Sequence, residues 1–203
     1  MTSARDFARD RKFVRLLADV RACNVCAAHL PHEPRPVVQA GPTARLLIVG
    51  QAPGRHVHET GIPWNDPSGN RLREWLNVSS DVFYDDTRIA IVPTAFCYPG
   101  KGRSGDLPPR PECAPLWHPQ LLSMLPDVQL TLLIGRYAQQ TFLKENCRAT
   151  LTDTVAAYES YLPEYLPLPH PSPLNRSWWR NNAWFERDML PVVRERVKAA
   201  LAL

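Results

Sequence analysis

Four short apolar runs constrain this chain more than anything else in it: Arg45–Val49, which is apolar from Leu46 onward, then Ile89–Val92, Leu130–Ile134 and Tyr165–Leu168. None alternates polar with apolar residues, so each suits a strand covered on both faces, as in a parallel sheet. Helix-forming stretches separate them. Residues 4–22 place Phe13, Leu16, Leu17 and Val20 on one helical face. Ser68 is a candidate cap for a helix carrying Leu72, Trp75 and Leu76, and two further helices are predicted over Leu116–Leu125 and from Arg136 to about Lys144. The stretch Asn182–Leu201 is helical in pattern, with Pro191 either kinking it or starting a second piece. This order predicts a three-layer α/β/α sandwich around a central, mostly parallel four-stranded sheet, within a single domain spanning 1–203.

Ligands of such sheets bind beyond the carboxyl ends of the strands. Two unusual loops follow strand ends here: Gly50-Gln51-Ala52-Pro53-Gly54, and His170-Pro171-Ser172-Pro173-Leu174-Asn175. The second is stiff, because each proline removes a donor and pushes its predecessor out of the helical region. The topology allows both loops to face one pocket.

The net charge of +4 says little about a polyanionic partner. Local distribution says more. Arg176, Trp178, Trp179 and Arg180 follow the His170 loop, a mixture that suits phosphates and unstacked bases but also a solvated helix start with two core tryptophans. The apolar runs are too short to span a bilayer and Met1–Arg11 is polar, which predicts a cytoplasmic protein with no membrane segment.

Five cysteines in such a chain point to a metal or cluster before a disulfide framework. Cys23 and Cys26 form a C-x-x-C pair. Cys97 and Cys113 flank a stretch rich in proline and glycine that is not expected to form regular structure. Four thiolates of this kind suit Zn²⁺ or an iron-sulfur cluster equally. Cys147 stands apart.

Taken in order, these motifs resemble the uracil-DNA glycosylase superfamily. Gly50–Gly54 is similar to its first motif, G-x-x-P-G, and His170–Leu174 to its H-P-S-P-L motif. The four cysteines resemble those of its iron-sulfur branch, as does Thr60-Gly61-Ile62-Pro63-Trp64, similar to T-G-x-P-F. The resemblance implies a structural [4Fe-4S] cluster on Cys23, Cys26, Cys97 and Cys113, with zinc the alternative. It also implies a monomeric enzyme that flips uracil from DNA, hydrolyses the N-glycosidic bond and releases free uracil.

By the same resemblance, His170 hydrogen-bonds uracil O2 and Trp64 stacks on the flipped base. Gly50, Gln51, Ala52, Pro53 and Gly54 line the base pocket. Leu174 acts as the wedge, while Ser172, Asn175 and Arg176 contact phosphates. Two positions depart from the family pattern. Ala52 stands where many members carry a water-positioning aspartate, which leaves Glu59 or His58 for that role, with Asp66 close by. No asparagine follows the second strand, leaving Thr94 to read the base edge. These departures support a second reading, a binder of the same fold that traps uracil or abasic DNA, covalently through His56 or His58. A zinc-stabilised hydrolase is a remoter reading, since no G-x-S-x-G elbow is present.

Overall fold

The four apolar runs become the strands of one sheet because their alternate residues bury against helices on opposite faces. The computed structural model describes residues 4–103 and 105–202, so residues 1–3, 104 and 203 of the expected 1–203 domain lie outside the described residues. Strands β1 (Leu46–Val49), β2 (Ile89–Ile91), β5 (Leu130–Ile134) and β6 (Tyr165–Leu168) pair in parallel in the order β2-β1-β5-β6. Leu46 stands between Ile89 and Leu130, and Thr131 is opposite Tyr165.

One face of the sheet presents Leu46, Ile48, Ile89, Ile91, Leu132 and Leu168. Against it pack α3 (Pro67–Leu76), α9 (Leu190–Leu201) and the buried Phe185. The other face presents Leu47, Val49, Ala90, Val92 and Leu133 to α1 (Ala4–Arg21), α5 (Cys113–Leu122) and α6 (Arg136–Leu143). The fold is therefore the expected three-layer α/β arrangement, with all four strands of the central sheet parallel. Among the described residues, no helix is long and apolar enough to cross a membrane.

Several local expectations give way. The cap of α3 is Asp66, whose carboxylate accepts from Gly69 N at 2.7 Å, and Ser68 is buried inside the first turn. Pro67 at the start explains this, because its missing N–H is one that a helix terminus leaves unpaired anyway. Helix α5 begins at Cys113, earlier than Leu116, since Pro115 falls in the first turn where proline is tolerated. Pro191 starts α9, after α8 (Arg176–Asn181) and a π-helical turn at Phe185–Met189. The proline- and glycine-rich stretch forms an antiparallel ribbon of β3 (Lys101–Gly102) and β4 (Gly105–Asp106). Short helices α2 (Arg55–Thr60), α4 (Ser80–Phe83) and α7 (Leu151–Ala156) complete the chain.

Both outer strands are covered or interrupted. Gln39 forms an antiparallel bridge with Ile91 on the free side of β2, and its amide donates to Phe83 O at 3.0 Å and Ile89 O at 2.9 Å. At the opposite edge, β6 carries Pro167, which lacks a ladder donor and is tolerated only on such an edge.

Candidate active site

The Gly50 and His170 loops leave β1 and β6 at the same end of the sheet and enclose one cleft of about 500 Å³. That size suits a small planar ligand with one face still open to solvent. Its walls are the Gly50–Gly54 loop, Trp64, His170 and the β3–β4 ribbon. The floor is fixed by the backbone: Thr94 N and Thr94 Oγ1 both donate to Gly50 O, at 2.8 and 2.9 Å. Gly135, just after β5, turns the chain through φ +81°, a conformation that suits glycine, and a Cβ there would sit in ordinary contact with the His170 Cβ at 3.6 Å.

Trp64 closes one side. Its ring centre is 5.6 Å from that of His170, and a Cβ on Gly50 would meet its ring at 3.0 Å. Its backbone is left-handed, φ 54°, a conformation rare for a bulky residue and concentrated at functional positions. Gly69 makes this possible, because any larger residue there would overlap the Trp64 carbonyl oxygen.

The His170–Asn175 loop is braced internally. Asn175 Nδ2 donates to His170 O at 3.0 Å and Leu174 N donates to Ser172 Oγ at 3.2 Å. Ser172, Leu174 and Asn175 reach the cleft, with Leu174 90% exposed at the rim. Arg176 opens α8, exposed and outside the cleft lining. Burial lowers the His170 pKa below its ordinary value, against the opposing pull of Asp66 and Asp106, so the imidazole is neutral near pH 7.

Three sequence expectations are not met by this geometry. Val57 is the α2 residue that lines the cleft. His58 and Glu59 follow it by about 100° and 200° of helical turn, and neither lines the cleft. Glu59 is exposed beside His56, and His58 packs against His32 and Tyr98. Thr94 also misses the cleft, because its hydroxyl is spent on Gly50 O. Trp178 and Trp179 pack edge-on into Phe185 and Trp75, as core tryptophans do.

The sequence reading missed Asp106 and Lys101. Both reach the cleft from the ribbon, as does Asp66 from the start of α3. The legible signal was the pair of charged residues beside Gly102 and Gly105 in a loop anchored by cysteines at each end. Gln51 ties that ribbon down, donating to Leu107 O at 3.2 Å.

The cysteines gather elsewhere. Cys23, Cys26, Cys97 and Cys113 line one small cavity with Leu30, Pro34 and Pro36. Burial, reinforced by the neighbouring cysteines, pushes the Cys97 thiol up to about 11 and the Cys113 thiol to about 12. Two sulfurs face N–H groups, Trp117 Nε1 donating to Cys23 and Phe96 N to Cys113, both at 3.4 Å, whereas the Cys26 thiol donates to the Glu112 carboxylate at 3.8 Å. Among the described residues, no group of three or more His, Cys, Asp or Glu side chains is arranged to hold a metal ion. Cys147 lies apart from this cavity.

The family model of the uracil DNA glycosylase superfamily matches residues 38–194, most of the chain. The chain belongs to the uracil DNA glycosylase superfamily. Among solved structures it is similar to a solution NMR structure described as a "putative Uracil DNA glycosylase" from Methanosarcina acetivorans. The two are 17% identical, with 77% of this chain and 93% of that one covered at a TM-score of 0.44. The matched residues carry both cleft loops and two of the four gathered cysteines, Cys97 and Cys113. Membership of the superfamily supports a glycosylase-type role for the cleft.

Proposed function

We propose that this protein flips uracil out of DNA and hydrolyses its N-glycosidic bond, leaving an abasic site and free uracil. The observation that carries the reading is the convergence of His170, Trp64 and the Gly50–Gly54 loop on one cleft at the carboxyl edge of the sheet. As the C1′–N1 bond breaks, negative charge gathers on uracil O2 while the sugar becomes cationic. A neutral imidazole at His170 donates to that oxygen from a site where burial strengthens the bond. Trp64 offers a ring face to the base, and the exposed Leu174 is placed to fill the gap it leaves in the duplex. Ser172, Asn175 and Arg176 contact the flanking backbone.

The four cysteines suit a structural [4Fe-4S] cluster. Trp117 Nε1 and Phe96 N donate to the Cys23 and Cys113 sulfurs, an environment that stabilises ligating thiolates. Such a group would tie the C-x-x-C loop to both ends of the ribbon segment. Cys113→Ala should abolish iron content and visible absorption of anaerobically purified protein, whereas a zinc-bearing, colourless wild type would overturn the assignment. The covalent step of the binder reading loses its two candidates, since neither His56 nor His58 lines the cleft.

The test of function is incubation with single- and double-stranded oligonucleotides carrying one uracil, then alkali. Strand breaks confined to the uracil position, with repeated turnover, are expected. No break with either substrate across a range of salt would refute the proposal.

A further inference from the structure

Resting on that reading, we infer that Arg73 is a positioning residue: from behind the cleft wall it holds the Trp64 carbonyl, and so sets the plane of the ring that receives the flipped base. Arg73 does not itself line the cleft. It sits in the last turn of α3, and its guanidinium Nη1 donates to Trp64 O at 3.3 Å. Among the described residues, no other group donates to that oxygen.

Trp64 needs such a hold. Its left-handed backbone, φ 54°, is one that a bulky residue keeps only where the surroundings over-determine it. It belongs to no helix or strand, so no ladder of backbone bonds fixes it. Gly69 leaves room for the carbonyl and Arg73 supplies its donor. On the cleft side the ring passes close over Gly50 and lies beside His170, so a turn of this backbone would carry the ring away from both.

The guanidinium is fixed in its turn. Nη1 also donates to the Tyr84 hydroxyl at 3.2 Å, and Nη2 donates to Asn70 Oδ1 at 2.6 Å. Its central carbon lies 5.2 Å from the Phe83 ring centre and 5.5 Å from that of Tyr84, within cation–π range. Phe83 is fully buried, and its carbonyl receives the Gln39 amide. The rim of the sheet is thereby linked through Phe83 and Arg73 to Trp64. A lysine at this position would keep the charge but lose the planar fork that reaches these acceptors while stacked on the rings.

The test is a double-mutant cycle under single turnover on a uracil oligonucleotide, comparing wild type, Arg73→Lys, Trp64→Ala and the pair, with urea midpoints confirming that each is folded. Misplacing a contact group by about 1 Å can cost on the order of 10²-fold in rate. Arg73→Lys should slow excision by about tenfold or more, whereas the same change in the Trp64→Ala background should cost less than about twofold, because the two residues act as a unit. In Arg73→Lys the indole N–H resonance of Trp64 should shift more than those of the other tryptophans. Equal losses in the two backgrounds, a full rate in Arg73→Lys, or an unmoved Trp64 resonance would overturn the inference. A wild type inert on every uracil substrate would instead refute the proposed function, and the Trp64 resonance would still decide whether Arg73 holds the ring.

Discussion

Replacing His170 by alanine isolates what the neutral imidazole contributes. Burial holds its pKa below the ordinary value of about 6.5, so near pH 7 it offers a single N–H. One well-aimed donor to a developing oxyanion in a desolvated site is worth about 3–4 kcal/mol, or roughly 10²–10³ in rate. The substitution should leave the loop standing, because Asn175 donates to the His170 backbone carbonyl, which alanine keeps. Gly135, packed on the His170 Cβ, loses nothing either. The lowered pKa adds a condition on pH. A neutral donor keeps its proton as pH rises, so the wild-type rate should stay level from about pH 6.5 to about pH 8. An imidazolium donor would instead lose about tenfold per unit above its pKa. Single-turnover excision from about pH 5 to about pH 9, with DNA affinity measured alongside, decides the matter. A loss below about tenfold in His170→Ala, or a wild-type rate falling through neutral pH, would refute the assignment.

Other perturbations separate stability from function. Gly69→Ala forces a methyl group onto the Trp64 carbonyl, and overpacking of this kind should cost about 1–3 kcal/mol, read from urea unfolding, and displace Trp64 enough to weaken base binding. Leu174→Ala, at a 90% exposed position, should change stability by less than about 0.5 kcal/mol yet slow excision from duplex more than from single strands. Equal slowing on both substrates would remove its wedge role. His118 is buried with Nε2 on Pro93 O at 3.0 Å, and burial lowers its pKa. The unfolded chain therefore binds the proton more readily, so this contribution is fully present above about pH 6.5 and is lost as pH falls toward the lowered folded value. Urea midpoints of wild type should drop across that window, and less so in His118→Phe.

The sheet was legible because burial on both faces removes polar residues from the strands, leaving runs such as Leu130–Ile134 whose bounds match the structure. Cleft placement followed from topology, since Gly50 and His170 both end parallel strands. What failed was local. Helix α2 carries one buried residue, Val57, too little apolar pattern to show as a helix, and so nothing in the sequence revealed that His58 and Glu59 turn away from the cleft. The ribbon was hidden for a related reason: its strands are two residues each and owe their pairing to glycines and to Leu107, not to an apolar repeat. Asp106 therefore carries only a weak sequence signal, a charge beside Gly105 in a loop between Cys97 and Cys113.

The bridge at Gln39 and the proline at position 167 act on the two rims of the same sheet. An open rim is a template on which a second chain can add strands. Here one rim is occupied by the protein's own Val37–Gln39 segment and the other lacks a donor where a newcomer would need one. Neither rim of the central sheet therefore offers a newcomer an uninterrupted ladder of donors and acceptors.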